Sequence, residues 1–312
     1  MSDHSHLSGH SYVHDAVRVT APEDDAALAE AWDHIVVPPE LKALLFNHAL
    51  LAMELRRVGL GGASLPTHGL IVLSGPPGTG KTSLARGLGA KVAEHFGGRL
   101  GSVRVIDVNC HVLTSELLGR TQRNIIQLFQ EELPSLAQSG PLVVVLDEME
   151  ALGVSRSRSS VEINPADVFR GTAALLSALD WVARELAGTV VVGTTNVPGA
   201  LDDAVMSRAD LVLSFPSLTV PVIQELLADT LVYLGGHFPA CGLLAVDSAL
   251  EDVAANLSGL DGRQVRKFIL DALASEHETT VDPGRLSMET LICRSQAVAV
   301  AIPVASLALG GY

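Results

Sequence analysis

Two hydrophobic patterns alternate along the first two thirds of the chain. Short apolar runs predict buried strands at residues 70–73, 103–109, 142–146 and 189–196. Between these runs, apolar residues recur at the spacing of amphipathic helices, as at residues 41–55, 81–95 and 125–133. Strands that alternate with helices are typical of a parallel sheet with helices on both faces. The pattern therefore predicts an α/β fold with a doubly wound parallel sheet.

The pattern changes near residue 217. Helical spacing continues at residues 222–234, 248–257 and 262–275, without strong strands between them. We therefore predict a flexible tail at residues 1–26, a large α/β domain at residues 27–216 and a smaller helical lid domain at residues 217–312. The tail could bind a metal through its histidines, but no cysteine or acidic cluster completes a ligand set. These histidines are His4, His6, His10 and His14.

The first predicted strand leads into a glycine-rich turn that fits the phosphate-binding pattern G-x-x-x-x-G-K-[ST]. In this motif backbone N–H groups surround the phosphates, Lys81 reaches the terminal ones and the Thr82 hydroxyl binds Mg²⁺. The alternative is a glycine-rich turn without a ligand, but the preceding strand supplies the context that the motif requires. The predicted nucleotide-binding residues here are Gly75, Pro76, Pro77, Gly78, Thr79, Gly80, Lys81, Thr82 and Ser83.

Polar residues follow two other buried strands. Asp147 comes at the carboxyl end of its strand, where a carboxylate lies beside the phosphate loop and can bind nucleotide and Mg²⁺ together with Thr82. Glu148 is the predicted general base that orients and deprotonates the attacking water. Asn196 would position this water by hydrogen bonds, or would merely turn the chain before Pro198. A simple acidic turn is the alternative for residues 147–148. We predict ATP as the ligand and Mg²⁺ as the metal.

Charge and cysteine content limit the classes of partner. The 312 residues include 35 acidic and 21 basic ones, a formal net charge of −14, so no overall attraction draws the protein to nucleic acid or to an anionic membrane. Three widely spaced cysteines suit reduced cytosolic thiols. No signal-peptide pattern is present, and the final apolar stretch, residues 297–309, is too short to span a bilayer. We expect a cytoplasmic protein that binds neither nucleic acid nor membrane, with this stretch packed as a helix or strand.

With these landmarks in place, the chain resembles an AAA+ ATPase. It is similar to the pachytene-checkpoint family of HORMA-domain remodellers, whose animal member is called thyroid receptor interacting protein thirteen and whose bacterial relatives occur in cyclic-oligonucleotide antiphage defence (CBASS). The similarity extends from about residue 32 to near the end. The segments that show it are Val108-Asn-Cys-His-Val-Leu113, Leu201-Asp-Asp-Ala-Val-Met-Ser-Arg-Ala-Asp210 and Gly259-Leu-Asp-Gly-Arg-Gln-Val-Arg-Lys267.

The resemblance implies a homohexameric ring that binds ATP between its subunits. It also implies that ATP hydrolysis is coupled to unfolding part of a HORMA-domain protein, with a nucleotide cyclase as a further partner. Arg208 then matches the arginine finger that reaches the neighbouring subunit's γ-phosphate. Arg263 matches the second sensor, on the helical lid. Either arginine could instead form an ordinary surface ion pair.

The chain departs from the family in two places. Leu117 and Leu118 stand where relatives have an aromatic pair in the first pore loop. These leucines could grip an extended peptide, but with less stacking area than aromatic residues. The short predicted tail leaves no room for the N-terminal substrate-adaptor domain of the eukaryotic members. We therefore expect substrate to be engaged by the ring itself or through a partner.

Two other functions stay open on the sequence. One is another AAA+ machine, such as a protease-linked unfoldase or a DNA-acting loader, and the acidic charge weighs against the loader. The other is a nucleotide-dependent scaffold that hydrolyses little ATP. The presence of Glu148, Asn196 and Arg208 weighs against the scaffold, and the ATPase activity of a Glu148→Gln variant would separate the two.

Overall fold

The structure is a computed structural model. It describes residues 15–23, 25–60, 67–96, 98–114, 120–152, 165–197 and 199–309, with the backbone alone for residues 31, 165–168 and 301–309. The chain forms two compact units. The α/β unit lies within Met1–Ile35, Pro39–Gly75 and Lys81–Ser214, and the helical unit lies within Val36–Pro38, Pro76–Gly80 and Phe215–Tyr312. The division into domains at residues 26 and 216 stays a prediction.

Six strands form one sheet in the described part of the α/β unit. They are β1 (Val17–Thr20), β2 (Leu70–Ser74), β3 (Arg104–Asn109), β4 (Leu142–Asp147), β5 (Thr189–Thr195) and β6 (Ala209–Ser214). Their order is β1-β3-β4-β5-β2-β6, and every neighbouring pair is parallel except β1 with β3. The carboxyl ends of β4, β5 and β2 therefore lie side by side at one edge of the sheet, which is where ligands bind in open α/β sheets.

Helices connect these strands. They are α1 (Ala26–Asp33), α2 (Pro39–Arg57), α3 (Lys81–Phe96), α4 (Cys110–Leu113), α5 (Arg120–Ile126), α6 (Leu133–Ala137), α7 (Pro165–Glu185) and α8 (Asp203–Met206). A π-helical stretch, Gln127–Glu132, joins α5 to α6, and a 3₁₀ turn, Met149–Ala151, follows β4. Helix α2 begins at Pro39, a position that suits proline because the first N–H groups of a helix have no partner within the helix.

The core of the α/β unit explains the continuous apolar runs. Residues 142–146 of β4 and all residues of β5 are buried, as expected for central strands covered on both faces. Helix α3 approaches the sheet closely at Gly89, where a Cβ atom would lie 2.1 Å from Val105 Cγ2. This close packing fixes the helix that follows the phosphate loop against the strands beneath it.

The helical unit has its own core. Its helices are α9 (Val220–Gly235), α10 (Pro239–Leu244), α11 (Leu250–Asn256), α12 (Gly262–Leu273), α13 (His277–Val281) and α14 (Met288–Leu309), with a 3₁₀ turn at Pro283–Arg285. Apolar side chains from α9, α11 and α12 form the centre, among them Leu227, Val253 and Ile269, which are fully buried. No helix in the described ranges is both long and apolar enough to cross a bilayer.

Several elements were not predicted. Strand β1 lies within the predicted tail. Its residues, Val17-Arg-Val-Thr20, alternate apolar and polar side chains, but four residues are a short signal that was missed. Helix α4 was not predicted either. Helix α7 has a clear signal that was missed, since Leu175, Leu179 and Val182 recur at helical spacing and are buried. Strand β6 is only partly buried. The final stretch, by contrast, was predicted to form a helix or strand, and its residues to Leu309 belong to helix α14.

Candidate active site

The phosphate loop begins where β2 ends. Lys81, the first residue of α3, is 4% exposed, and its Nζ donates to the carbonyl oxygen of Gly75 at 2.9 Å. The Gly75 N–H donates to the carbonyl oxygen of Thr195 at 3.2 Å, which joins the start of the loop to the end of β5. The predicted phosphate-binding lysine is therefore directed along the loop rather than into solvent.

Within the helical unit, residues 76–80 contact the beginning of α12. The Gly262 N–H donates to the Gly78 carbonyl oxygen at 3.1 Å. Gly78 has a φ of 72°, and a Cβ atom there would lie 2.5 Å from the Cβ of Asp261. Glycine is therefore required at position 78 both for its backbone conformation and for space.

Asp147 joins residues from three elements. Its Oδ1 atom accepts hydrogen bonds from Thr82 Oγ1 at 2.6 Å and from Thr194 Oγ1 at 2.7 Å. The structure thus brings together the two predicted metal ligands, Thr82 and Asp147. Thr194, in the buried strand β5, was not predicted, although a polar residue at such a buried position was an available signal.

The donor set fits Mg²⁺. A hydroxyl and a carboxylate are the hard oxygen donors that this ion prefers, and it usually takes one or two carboxylates together with water and substrate phosphates. No group of three or more His, Cys, Asp or Glu side chains that could hold a metal occurs among the described residues. Water and oxygen atoms of the nucleotide would complete the coordination of a metal bound to Thr82 and Asp147.

Glu148 has a strained backbone and a held side chain. Its φ of 54° and ψ of 53° are left-handed, and no other non-glycine residue in the described ranges has a positive φ. Such strain is found at functional sites, where surrounding contacts maintain it. Oε1 accepts from Asn196 Nδ2 at 2.9 Å, and Oε2 lies 2.7 Å from His111 Nε2. The Glu148 N–H donates to Thr194 Oγ1 at 3.1 Å, so backbone and side chain are both fixed.

Asn196 is positioned by a second carboxylate. Its backbone N–H donates to Glu150 Oε1 at 3.0 Å, while its side-chain amide reaches Glu148. The other Glu150 oxygen, Oε2, is buried and has no hydrogen-bond partner among the described residues. The structure therefore brings the predicted water-positioning residue and the predicted base into direct contact. Glu150 was not predicted as part of this group.

His111 was also not predicted. It lies on α4, whose first turn is capped by Asn109, because the Asn109 side chain accepts hydrogen bonds from the N–H groups of His111 and Val112. An asparagine immediately before a short apolar run is a helix-start signal, so this helix could have been predicted. The neighbouring Cys110 is inert, because burial raises the pKa of its thiol and the nearby Asp147 carboxylate raises it further.

Arg208 lies at the opposite edge of the sheet from the phosphate loop, where the amino ends of the parallel strands meet. It precedes Ala209, the first residue of β6, which pairs with Leu70, the first residue of β2. The phosphate loop follows the last residue of β2, five residues later, which is about 16 Å along the strand. Arg208 Nε and Nη2 donate to the two oxygens of Asp180, at 2.7 and 3.0 Å. The structure therefore does not bring Arg208 to its own phosphate loop.

Arg263 lies in the helical unit, in the first turn of α12, with an exposed side chain. The N–H groups at this helix end are already used, since the Asp261 side chain accepts from Arg263 and Gln264. Any contact of this helix end with a nucleotide would therefore come from a side chain, and Arg263 is the predicted one. Leu117, Leu118 and the histidines His4, His6, His10 and His14 lie outside the described residues.

Known proteins are similar to this chain in sequence. The model of the ATPase family associated with various cellular activities (AAA) matches residues 71–217. CD-NTase-associated protein 6 of Pseudomonas aeruginosa is 40% identical over 267 residues, which cover 86% of this chain and 87% of that protein. This chain belongs to the AAA ATPase family. The Pachytene checkpoint protein 2 homolog of Homo sapiens is 26% identical over 85% of this chain and 66% of its own length.

Solved structures share the fold of this chain. C. elegans PCH-2 matches with a TM-score of 0.71 and 19% identity, over 89% of this chain and 73% of that one. A chain of the E. coli MS115-1 HORMA:CdnC:Trip13 complex also matches with a TM-score of 0.71, at 18% identity, over 91% of this chain and 95% of that one. The predicted family and the predicted α/β fold class are confirmed. Membership of the AAA ATPase family implies that the protein binds a nucleotide.

Proposed function

We propose that this AAA ATPase hydrolyses ATP to remodel a HORMA-domain protein, as a regulator of a bacterial antiphage signalling (CBASS) system. The proposed working form is a homohexamer, and a nucleotide cyclase is a further proposed partner. The 40% identical relative is named for its association with a CD-NTase, and a chain of similar fold occurs in a complex with HORMA and CdnC. The observation that best supports hydrolysis is the Glu148 carboxylate, which Asn196 holds and which follows directly in sequence the Asp147 that contacts Thr82.

Binding would begin at the phosphate loop. Residues 75–83 would surround the phosphates of ATP with backbone N–H groups, and Lys81 would exchange its bond to Gly75 for a phosphate oxygen. Thr82 and Asp147 would hold Mg²⁺, which when bound neutralises charge on the phosphates. The hydroxyl of Thr194 would keep the Asp147 carboxylate in place by its 2.7 Å hydrogen bond.

Hydrolysis would use Glu148 as the base. Its carboxylate would accept a proton from the water whose oxygen attacks the γ-phosphorus, and the bond between that phosphorus and ADP would break. A base must be held within reach of the proton that it removes. The contacts of Glu148 with Asn196 and His111 meet this requirement, since they restrain both carboxylate oxygens.

Arg208 and Arg263 would complete the site. Because Arg208 lies at the opposite edge of the sheet from its own phosphate loop, it would have to act on the nucleotide of a neighbouring subunit. This position supports the proposed ring. Arg263 would contact the nucleotide from the helical lid domain, for which we keep the proposed bounds 217–312. Leu117 and Leu118 would contact the partner in the pore.

The central experiment uses Glu148→Gln. Glutamine keeps the shape of the side chain but cannot accept the proton, so the variant should bind a fluorescent ATP analogue normally, lose steady-state ATPase activity and retain a HORMA-domain partner in a stable complex. Glu54→Gln, at an exposed ion pair with Arg57 in the same unit, is the matched control and should behave as wild type. Unchanged turnover in Glu148→Gln would remove Glu148 from the mechanism. Equally low turnover in wild type and variant would instead favour a nucleotide-dependent scaffold.

A further inference from the structure

We infer that Asp180 is the positioning residue of the arginine finger. This inference rests on the proposed function, in which Arg208 acts on the nucleotide of a neighbouring subunit. Asp180 and Arg208 are 28 residues apart and come from different elements, α7 and the turn between α8 and β6. Their contact therefore depends on the tertiary structure and not on closeness in sequence.

The contact fixes the plane of the guanidinium group. Arg208 Nε donates to Asp180 Oδ1 at 2.7 Å and Nη2 donates to Oδ2 at 3.0 Å, which is a bidentate pair. Nη1 donates to the carbonyl oxygen of Ala204 on α8 at 2.8 Å. An arginine has five N–H groups in a rigid fork, so three bonds from three nitrogens leave one N–H on each terminal nitrogen. These two N–H groups, with the plane already set, are suited to bind oxygen atoms of a phosphate.

The residues that hold Arg208 are themselves rigid. Asp180 lies in a 21-residue helix, and its neighbours Leu179 and Val182 are buried in the core at 1% and 0% exposure. On the other side, the Asp210 carboxylate accepts from the backbone N–H groups of His68 and Gly69 at 2.9 and 2.7 Å. These bonds attach the beginning of β6 to the segment that precedes β2. Arg208 is thus held between two fixed parts of the α/β unit.

A purely stabilising ion pair explains the arrangement less well. The side chains of Arg208 and Asp180 are 24% and 31% exposed, so the pair is at the surface and within reach of a second chain. Even a well-formed bidentate pair contributes only modestly to the free energy of unfolding when it is partly exposed. Orientation is the larger effect, since a displacement of about 1 Å in a group that contacts the reacting atoms can reduce the rate about a hundredfold.

The test is the steady-state kinetics of Asp180→Asn. Asparagine has the same shape but turns an amide N–H₂ toward the guanidinium, so one of the two parallel bonds is lost. We expect kcat to fall about tenfold to a hundredfold, with the affinity for a fluorescent ATP analogue unchanged. Asp180→Glu, which keeps the carboxylate, should recover part of the loss. Glu54→Gln, which removes a carboxylate from another exposed pair in the same unit, should keep wild-type kcat.

Mixed assemblies test whether Asp180 acts through Arg208. Asp180→Asn subunits keep Glu148, and Glu148→Gln subunits keep a competent finger. In a mixture, the finger of a Glu148→Gln subunit can therefore act on the nucleotide of an Asp180→Asn neighbour, and ATPase activity should recover. A mixture of Asp180→Asn with Arg208→Ala subunits should not, because both lack a competent finger.

The outcomes separate this inference from the function on which it rests. If Arg208→Ala is inactive while Asp180→Asn has wild-type kcat, the result supports Arg208 as the arginine finger, and the inferred role of Asp180 is wrong. The same holds if Arg208→Ala recovers with Glu148→Gln but Asp180→Asn does not, despite demonstrated co-assembly. If Arg208→Ala itself has wild-type kcat, the proposed finger fails, and the inference about Asp180 fails with it.

Discussion

The contact between Gly262 and Gly78 gives a prediction whose size follows from the structure. In Gly262→Ala the new Cβ atom would lie 2.5 Å from the Gly78 carbonyl oxygen, whereas real Cβ contacts are essentially never below 3.0 Å and become ordinary at 3.4 Å. The phosphate loop and the start of α12 must therefore separate by about 0.5 to 0.9 Å. Added to the 3.1 Å between the Gly262 nitrogen and the Gly78 oxygen, this shift gives about 3.6 to 4.0 Å, which is no longer a hydrogen bond.

The expected result is weaker nucleotide binding by a stable protein. One hydrogen bond contributes about 1 kcal/mol, and where that energy keeps Gly78 in the conformation that binds phosphate, its loss lowers the affinity for ATP by up to about fivefold. Alanine favours a helix more than glycine does, and Gly262 has no positive φ, so α12 itself should not be destabilised. Titration with a fluorescent ATP analogue and a thermal melt measure the two quantities.

The matched control is Gly242→Ala in helix α10 of the same unit. A Cβ atom there would lie 3.4 Å from Gly235 Cα, an ordinary van der Waals contact, so ATP affinity should not change. Wild-type ATP affinity in Gly262→Ala would show that this contact does not hold the phosphate loop. An equal loss of affinity in Gly242→Ala would show that the effect is not specific to it.

Two further predictions concern the pore and pH. If Leu117 and Leu118 contact the partner, their double replacement by alanine should abolish remodelling of a HORMA-domain protein and leave basal ATPase activity and the thermal midpoint nearly unchanged. A loss of several kcal/mol of stability, about 2 to 5 for each buried leucine, would instead indicate core residues. The hydrogen bonds from Arg208 lower the pKa of Asp180, so this pair stabilises the fold fully above the unfolded carboxyl pKa of about 3.9 and less as pH falls through the lower folded value. The difference in unfolding free energy between wild type and Asp180→Asn, measured by urea unfolding, should shrink as the pH falls below about 4; a difference that stays constant below pH 4 would contradict this.

The parts of the site that could be predicted lie close together in sequence. A continuous apolar strand followed by a glycine-rich turn defines residues 70–82, because the backbone conformation and the chemistry are encoded in adjacent residues. The same is true of residues 142–148, where the buried strand β4 ends in two carboxylates. Parallel topology then places Asn196 near them, since carboxyl ends of parallel strands share one edge.

The contacts that could not be predicted join residues far apart in the chain. Thr194 and Asp147 meet because β4 and β5 are neighbours in the sheet. The sequences of these two strands do not determine the strand order β4-β5-β2. Asp180 meets Arg208 because α7 and the start of β6 lie at the same edge of the sheet. Periodicity describes one element at a time, so side-chain pairs between elements depend on the packing.

The two edges of the sheet hold different parts of the proposed reaction. The carboxyl edge has the phosphate loop, Asp147 and Glu148, while the amino edge has Arg208, and about 16 Å of β2 separates these edges. A side chain held at the amino edge by Asp180 and Ala204 lies too far from the phosphate loop of its own subunit to contact a nucleotide bound there. A single subunit would therefore bind ATP with its carboxyl edge but have no finger for it. In the proposed ring, assembly would appose the amino edge of one subunit to the carboxyl edge of the next and would be a condition for fast hydrolysis.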